Sequence, residues 1–181
     1  MKLSICIPTY NRDIELINLL NTIEECKSKN FEVIIIDDGS TDRTYQEVNK
    51  FISRSSKIIR YYYQKNQGKM SAFRNAINLS KGQYIADFDS DDEAISNNLD
   101  NFLDGKYDDI LNNKKIIGIS FKCIDSKNNL IGAKYHQDHL SKYSYVHYVM
   151  NIRGDKKDLI KSDHYKKLIK EKKPLHIYMP K

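Results

Sequence analysis

Apolar and polar residues follow one repeating pattern along the first half of the chain. Short runs rich in β-branched and aromatic residues predict buried strands. These strands are expected at residues 3–8, 31–36, 58–63 and 83–88. The stretches between them carry apolar residues at intervals of three and four, which predicts amphipathic helices. These helices are expected at residues 13–26, 44–52 and 70–79. The alternation predicts an α/β fold with a doubly wound, mostly parallel sheet and flanking helices.

The pattern is less regular after residue 93, where turn signals separate shorter apolar runs. The expected elements are a helix at 95–103, a hairpin of strands at 116–124 and 130–134, and helices at 140–150 and 159–169. A chain of 181 residues has room for one domain of ordinary size. We therefore expect a single domain that ends in a hairpin and helical extension.

Polar loops are expected at one edge of this sheet. They are residues 9–12, 37–40, 66–69 and 89–92. The carboxyl ends of parallel strands meet at one edge, and ligands of such sheets bind just beyond it. The sequence therefore predicts a binding site where these four loops converge.

The last of these loops concentrates negative charge at Asp89, Asp91 and Asp92. Carboxylates that lie close together repel each other and favour a divalent cation between them, and oxygen ligands suit Mg²⁺ or Mn²⁺. The alternative is a solvated acidic turn before a helix, where negative side chains favour the positive end of the helix dipole.

Four segments in this order resemble the inverting glycosyltransferases of family 2, which have the GT-A fold. They are residues 4–12 (SICIPTYNR), 31–42 (FEVIIIDDGSTD), 66–69 (NQGK) with 74–76 (RNA), and 81–86 (KGQYIA) running into 89–92 (DSDD). The resemblance implies a single GT-A-like domain over 1–181. Its nucleotide-sugar-binding half would be 1–95, and 96–181 would form a shortened acceptor-side half with a basic tail.

The resemblance also implies a role for individual residues. Nucleotide-binding roles fall on Pro8, Tyr10, Arg12, Asp37, Asp38, Gly68, Lys69, Arg74, Asn75 and Asp89. Asp89 and Asp91 match the Asp-x-Asp motif and would hold the Mn²⁺ or Mg²⁺ ion. Such an ion neutralises the charge that develops on the departing nucleoside diphosphate.

Inverting transfer also needs a general base that takes the proton of the acceptor hydroxyl. By the resemblance this base is a carboxylate far downstream, and Asp155 is the candidate that this chain offers. Residues 153–163 resemble a segment that precedes the base-bearing loop in some members, so we expect the chain to end before that loop and to be a poor transferase alone.

One alternative is a nucleotide-sugar-binding domain that is idle or needs a partner. Another is a phosphatase like the haloacid dehalogenases, because residues 87–90 (DFDS) mimic its nucleophile motif, although that class places it after the first strand.

Charge is distributed unevenly along the chain. Residues 153–181 hold ten Lys/Arg against four Asp/Glu, which accounts for the whole net charge of +6. This basic tail predicts either contact with an anionic membrane or a solvated helix face. Nucleic acid is not an expected partner, because repeats of aromatic residues and Gly are missing. The expected partners are a nucleotide-sugar donor and a glycan or lipid-linked acceptor.

The sequence also predicts a cytoplasmic location, with peripheral contact at the inner face of the membrane as an extension of the tail argument. No apolar run approaches the roughly 18 residues of a membrane span, and the first residues enter a strand-like run instead of a signal peptide. Cys6, Cys26 and Cys123 are odd in number and far apart, so we expect reduced thiols.

Overall fold

The computed structural model describes residues 1–114, 116–125, 127, 129, 146–153 and 157–172. Within these residues the strands are β1 Leu3–Thr9, β2 Phe31–Asp37, β3 Ile58–Tyr63, β4 Tyr84–Asp87, β5 Gly118–Ile124, β6 Val146–Arg153 and β7 Lys157–Lys161. The helices are α1 Asp13–Glu24, α2 Thr44–Arg54, α3 Lys69–Leu79, α4 Ser96–Leu103, α5 Asp108–Leu111 and α6 Ser162–Lys170.

The strands form one sheet in the order β3-β2-β1-β4-β7-β5-β6. β1 pairs in parallel with β2 and β4, and β2 pairs in parallel with β3. β7 lies antiparallel between β4 and β5, while β5 and β6 pair in parallel. The described sheet is therefore mostly parallel, as predicted, with β7 running against the other strands.

Apolar side chains of β2 explain why this strand is an almost unbroken hydrophobic run. Phe31, Val33 and Ile35 belong to a core shared with α1, α2 and α4. Ile34 and Ile36 point to the opposite core, which α3 and α6 cover. Because successive side chains of a strand face opposite sides, a strand covered on both faces must be apolar at nearly every position.

The first four strands, the first four helices and β5 confirm the prediction, and the elements after β5 correct it. Residues 140–150 were expected to be helical, but 146–150 belong to β6, which pairs with β5. The helix expected at 159–169 begins only at Ser162, because residues 157–161 form β7. Leu159 and Ile160 are buried in opposite cores, which a strand allows and a helix does not. The short helix α5 was not predicted, and the expected strand 130–134 lies outside the described residues.

The order of the strands fixes where a ligand site can lie. The chain moves outward from β1 through β2 to β3, and then crosses back to place β4 on the other side of β1. Loops after β1 and β4 therefore leave the sheet in different directions and open a crevice at the carboxyl edge. In the described part of the chain, no helix has both the length and the apolar character that a membrane crossing requires.

Candidate active site

A cleft of about 370 Å³ lies at the carboxyl edge, between the loops that follow β1 and β4. It is lined by Pro8, Thr9, Tyr10, Arg12, Asp38, Lys69, Asp89, Ser90 and Asp91. Its volume is within the range of small-molecule sites, about 300–1,000 Å³. The structure thus brings together residues from four predicted loops. Among the predicted nucleotide-binding residues, Asp37, Gly68, Arg74 and Asn75 do not belong to this lining set.

The wall formed by the end of β1 is held by Asn11. This residue has a positive φ of 50°, a conformation that Asn tolerates better than most residues. Its amide donates to Ser40 Oγ at 2.9 Å, and its Oδ1 accepts from the Thr41 amide at 2.8 Å. These bonds tie the loop after β1 to the loop after β2. Tyr10 is left 49% exposed, with its ring available to a ligand.

Thr9 lines the cleft and belongs to the predicted loop 9–12, but it was not among the predicted nucleotide-binding residues. It is the last residue of β1 and is 3% exposed. Its Oγ1 is buried and has no hydrogen-bond partner among the described residues. A buried hydroxyl without a partner is unfavourable, so a ligand group in the cleft would stabilise it. Thr9 could have been found from the sequence, because it is a polar residue at the end of an apolar strand, at the carboxyl edge of the sheet.

Asp38 organises the floor of the cleft. It is 3% exposed, and its carboxylate accepts from Gln64 Nε2 at 2.7 Å, from the Gln67 amide at 2.8 Å and from the Gly68 amide at 2.7 Å. An ionised carboxylate offers about four acceptor sites, so one site is left after these three bonds. Asp38 thus fixes the loop between β3 and α3 and keeps capacity for a ligand donor.

Gln64 links this floor to α3. Its Oε1 accepts from Asn75 Nδ2 at 2.6 Å, so Asn75 reaches the cleft only through Gln64 and Asp38. Arg74, the preceding residue of α3, is exposed to solvent. Gln64 was not among the predicted site residues, although it directly follows β3 at the carboxyl edge.

Asp37 serves the turn after β2. It is 1% exposed, and its Oδ1 accepts from the Ser40 amide at 2.7 Å. Its Oδ2 accepts from the Tyr61 hydroxyl, and burial, together with this bond, raises the pKa of Tyr61. The two adjacent aspartates therefore have different roles. Asp37 stabilises the turn after β2, and Asp38 lines the cleft.

Gly68 stands where the loop enters α3. Its φ of 89° and ψ of 154° lie in a region that residues with a Cβ adopt only with strain. No atom would lie within 4 Å of an added Cβ, so the backbone angle and not crowding requires glycine here. Lys69, the first residue of α3, extends from this point into the cleft.

Two ion pairs connect the carboxylates of the Asp-x-Asp motif to cations across the cleft. Arg12 Nη1 lies 2.5 Å from Asp91 Oδ2, and this hydrogen bond raises the pKa of the Arg12 guanidinium. Lys69 Nζ contacts Asp89 Oδ1. All four side chains are between 32% and 56% exposed, so the pairs are open to solvent and ligands.

Asp92 fixes the backbone of the Asp-x-Asp motif through hydrogen bonds to Asp89. Its buried carboxylate accepts from the Asp89 amide at 2.6 Å, and its own amide donates to the Asp89 carbonyl at 3.0 Å. The turn that results points Asp89 and Asp91 into the cleft, where both are lining residues. Asp92 thus acts as a positioning residue.

The donor set fits a magnesium or manganese ion that is shared with a substrate. Among the described residues there is no group of three or more His, Cys, Asp or Glu that could hold a metal alone. Mg²⁺ usually binds through one or two carboxylates and the phosphates of a substrate, instead of a cage made only by protein. Asp89 and Asp91 supply such a pair of oxygen ligands in a cleft that also contains two cations for phosphate. The candidate base Asp155 lies outside the described residues.

A mostly parallel sheet with a charged cleft at its switch point is the arrangement expected of the GT-A fold. The family model for Glycosyl transferase family 2 matches residues 4–109, which include every residue that lines the cleft. The chain therefore belongs to glycosyltransferase family 2.

Known relatives carry the same assignment. An uncharacterized glycosyltransferase of Rickettsia bellii is 40% identical over 99 residues, which are 55% of this chain and 14% of the relative. The poly(ribitol-phosphate) beta-N-acetylglucosaminyltransferase TarS of Staphylococcus aureus is 32% identical over 117 residues, 61% of this chain and 20% of the relative. The chain thus matches only a minor part of these longer proteins.

Solved structures show the same fold. The crystal structure of TarS 1–349 in complex with UDP-GlcNAc superimposes with a TM-score of 0.59 at 25% identity, covering 75% of this chain and 37% of that one. The mannosyltransferase PcManGT of Pyrobaculum calidifontis, in complex with GDP-Man and Mn²⁺, gives 0.58 at 20% identity, covering 68% and 35%.

Proposed function

We propose that the cleft binds a UDP-sugar together with Mn²⁺ or Mg²⁺, and that the protein transfers the sugar with inversion to a glycan or lipid-linked acceptor. One observation carries the proposal. A pair of carboxylates and a pair of cations face each other in a cleft at the switch point of a doubly wound sheet. A nucleoside diphosphate and its metal need this combination of charges. UDP is preferred because TarS, a relative with the same fold, binds UDP-GlcNAc.

The nucleoside is proposed to lie against the end of β1. Pro8 and Tyr10 would give apolar and aromatic surface for the base and ribose, and Thr9 would use its free hydroxyl. Asp38 has one acceptor position left for a donor on the base edge. Asp37 would act indirectly, through the turn after β2.

The diphosphate is proposed to lie between Arg12 and Lys69, whose side chains offer charged donors to phosphate oxygens. Gly68 would let the backbone of this loop come close to the diphosphate, because the space on its Cβ side is open. Arg74 and Asn75 would act from α3, as a more distant charge and as support for Gln64. The metal, held by Asp89 and Asp91, would neutralise charge on the leaving diphosphate.

We propose Asp155 as the base that accepts the proton of the acceptor hydroxyl. Loss of a general base typically slows a reaction by about 10²–10⁴-fold. Asp155→Asn should therefore bind donor normally and lower turnover by this factor. If Asp155→Asn turns over like the wild type, the base lies elsewhere.

Peripheral contact of the basic tail with an anionic membrane, from the cytoplasmic side, is also proposed. A second cleft, of about 620 Å³, supports it, because Lys81, Lys161, Lys166 and Lys167 line it beside a single acidic side chain, Asp163. Each Lys held near such a surface contributes about 1 kcal/mol, and salt screens this attraction. Cosedimentation with phosphatidylserine vesicles should fall as salt rises. Binding that salt does not change would contradict the contact.

The proposed function is tested by a screen of nucleotide-sugars for thermal stabilisation, with and without Mn²⁺, followed by an assay of UDP release with candidate acceptors. We expect UDP-sugars to raise the midpoint of unfolding only with the metal. Stabilisation by GDP-sugars alone would overturn the choice of nucleotide. Stabilisation without turnover would favour a donor-binding domain that needs a partner, and no stabilisation by any nucleotide-sugar would refute the proposal.

A further inference from the structure

The carboxylates proposed to bind the metal already have counter-ions within the protein. Arg12, in the loop after β1, pairs with Asp91 at 2.5 Å, and Lys69, at the start of α3, pairs with Asp89. Each pair joins two different loops across the cleft, and all four side chains line it. The same four groups are therefore needed twice: for each other, and for the two ligands of the proposed function.

This double use has a consequence for each ligand by itself. A divalent cation that binds alone must compete with Arg12 and Lys69 for the carboxylates. A nucleoside diphosphate that binds alone must compete with Asp89 and Asp91 for the cations. When both ligands bind, the carboxylates can turn to the metal and the cations to the phosphates, so that no charge loses its partner.

We infer that Arg12 and Lys69, through their ion pairs with Asp91 and Asp89, couple metal binding to donor binding. This inference rests on the proposed function. Each ligand breaks the two ion pairs and so prepares the cleft for the other. Such coupling is reciprocal, so the nucleotide raises the affinity for the metal by the same factor as the metal raises that for the nucleotide.

The size of the effect follows from the exposure of the pairs. Ion pairs between partly exposed side chains shift an equilibrium by about 1.5- to fivefold. Removing one cation should therefore strengthen binding of the metal alone by about this factor. The same substitutions should weaken nucleotide binding, so the two affinities should move in opposite directions.

The test consists of two titrations of the full chain. Mn²⁺ alone is titrated with electron paramagnetic resonance as the readout, and UDP is then titrated at saturating Mn²⁺ by calorimetry. The variants are Arg12→Gln and Lys69→Met. Arg43→Gln is the matched control for the first, because Arg43 pairs with Asp13 at 3.3 Å and does not line the cleft. Lys65→Met is the control for the second, since Lys65 is an exposed lysine of the neighbouring loop.

The expected result is tighter Mn²⁺ binding and weaker UDP binding in both site variants, with neither change in the controls. If Mn²⁺ binding stays the same or weakens in the site variants, the inference is wrong. Equal strengthening in the controls would also overturn it, because a general loss of positive charge would then be the cause. If the wild type binds Mn²⁺ but no nucleotide, the proposed function fails, and the titration with metal alone still decides whether the cations compete for the carboxylates.

Discussion

Replacement of Asp38 by Asn should loosen the loop that forms the floor of the cleft. Asp38 accepts three hydrogen bonds, from the side chain of Gln64 and from the amides of Gln67 and Gly68, at 2.7–2.8 Å. Asn keeps one acceptor oxygen and turns an NH₂ group toward a donor, so at least one of these bonds is lost and the rest lose their charge assistance. A hydrogen bond to a charged group contributes about 1.5–3 kcal/mol. Since Gln67 and Gly68 are exposed and water replaces part of the loss, we expect a decrease of about 1.5–3 kcal/mol in the free energy of unfolding.

Urea unfolding, monitored by circular dichroism, measures this decrease in the free energy of unfolding directly. In a protein of this size, 1 kcal/mol corresponds to about 2–4 °C, so the thermal midpoint should fall by about 3–12 °C. Asn75→Ala is the control, because it removes only the outer bond to Gln64, at 2.6 Å, from an exposed residue. It should change the free energy by less than about 0.5 kcal/mol. An Asp38→Asn variant as stable as this control would refute the role of Asp38 in holding the loop.

Three further changes test other parts of the structure. Gly68→Ala places a Cβ on a backbone with φ of 89° and should lower the free energy of unfolding by about 1–3 kcal/mol; urea denaturation with an unchanged midpoint would mean that the loop relaxes freely. Glu32→Gln removes the charge from a side chain that is 1% exposed and pairs with Arg60, and we expect a loss of about 2–4 kcal/mol in the same assay. Burial, and then the charge of Lys167, lower the pKa of His164, so the unfolded state binds its proton more readily and stability should fall as the pH drops below about 6.5. His164→Gln should flatten this slope between about pH 7 and pH 5, and an identical slope would exclude the effect.

The strands around the cleft were predictable because several signals agreed. β2 is apolar on both faces, and each of β1, β2 and β4 ends in a polar loop. Parallel strands bring such loops to one edge, so Arg12, Lys69 and Asp91 could be grouped from the sequence.

Other features depend on contacts that the sequence does not reveal. Gln64 matters because it bonds to Asp38, 26 residues earlier, and neighbouring residues of its own loop do not indicate this. The strand β7 is only five residues long, and Leu159 and Ile160 are compatible with a helix until the two opposite cores are known. β6 was also not predictable from local sequence, because pairing with β5 overrides the helical pattern of residues 146–150.

Asp89 and Asp91 are proposed to hold a metal that helps to bind a nucleoside diphosphate in this cleft. A calorimetric titration of UDP tests it most directly, with three samples: the wild type with Mn²⁺, the wild type with a chelator, and Asp91→Ala with Mn²⁺. We predict saturable binding in the first sample and much weaker binding in the other two, because each lacks one half of the bridge between carboxylate and phosphate. Equal UDP binding in all three samples, or none in the first, would contradict the account.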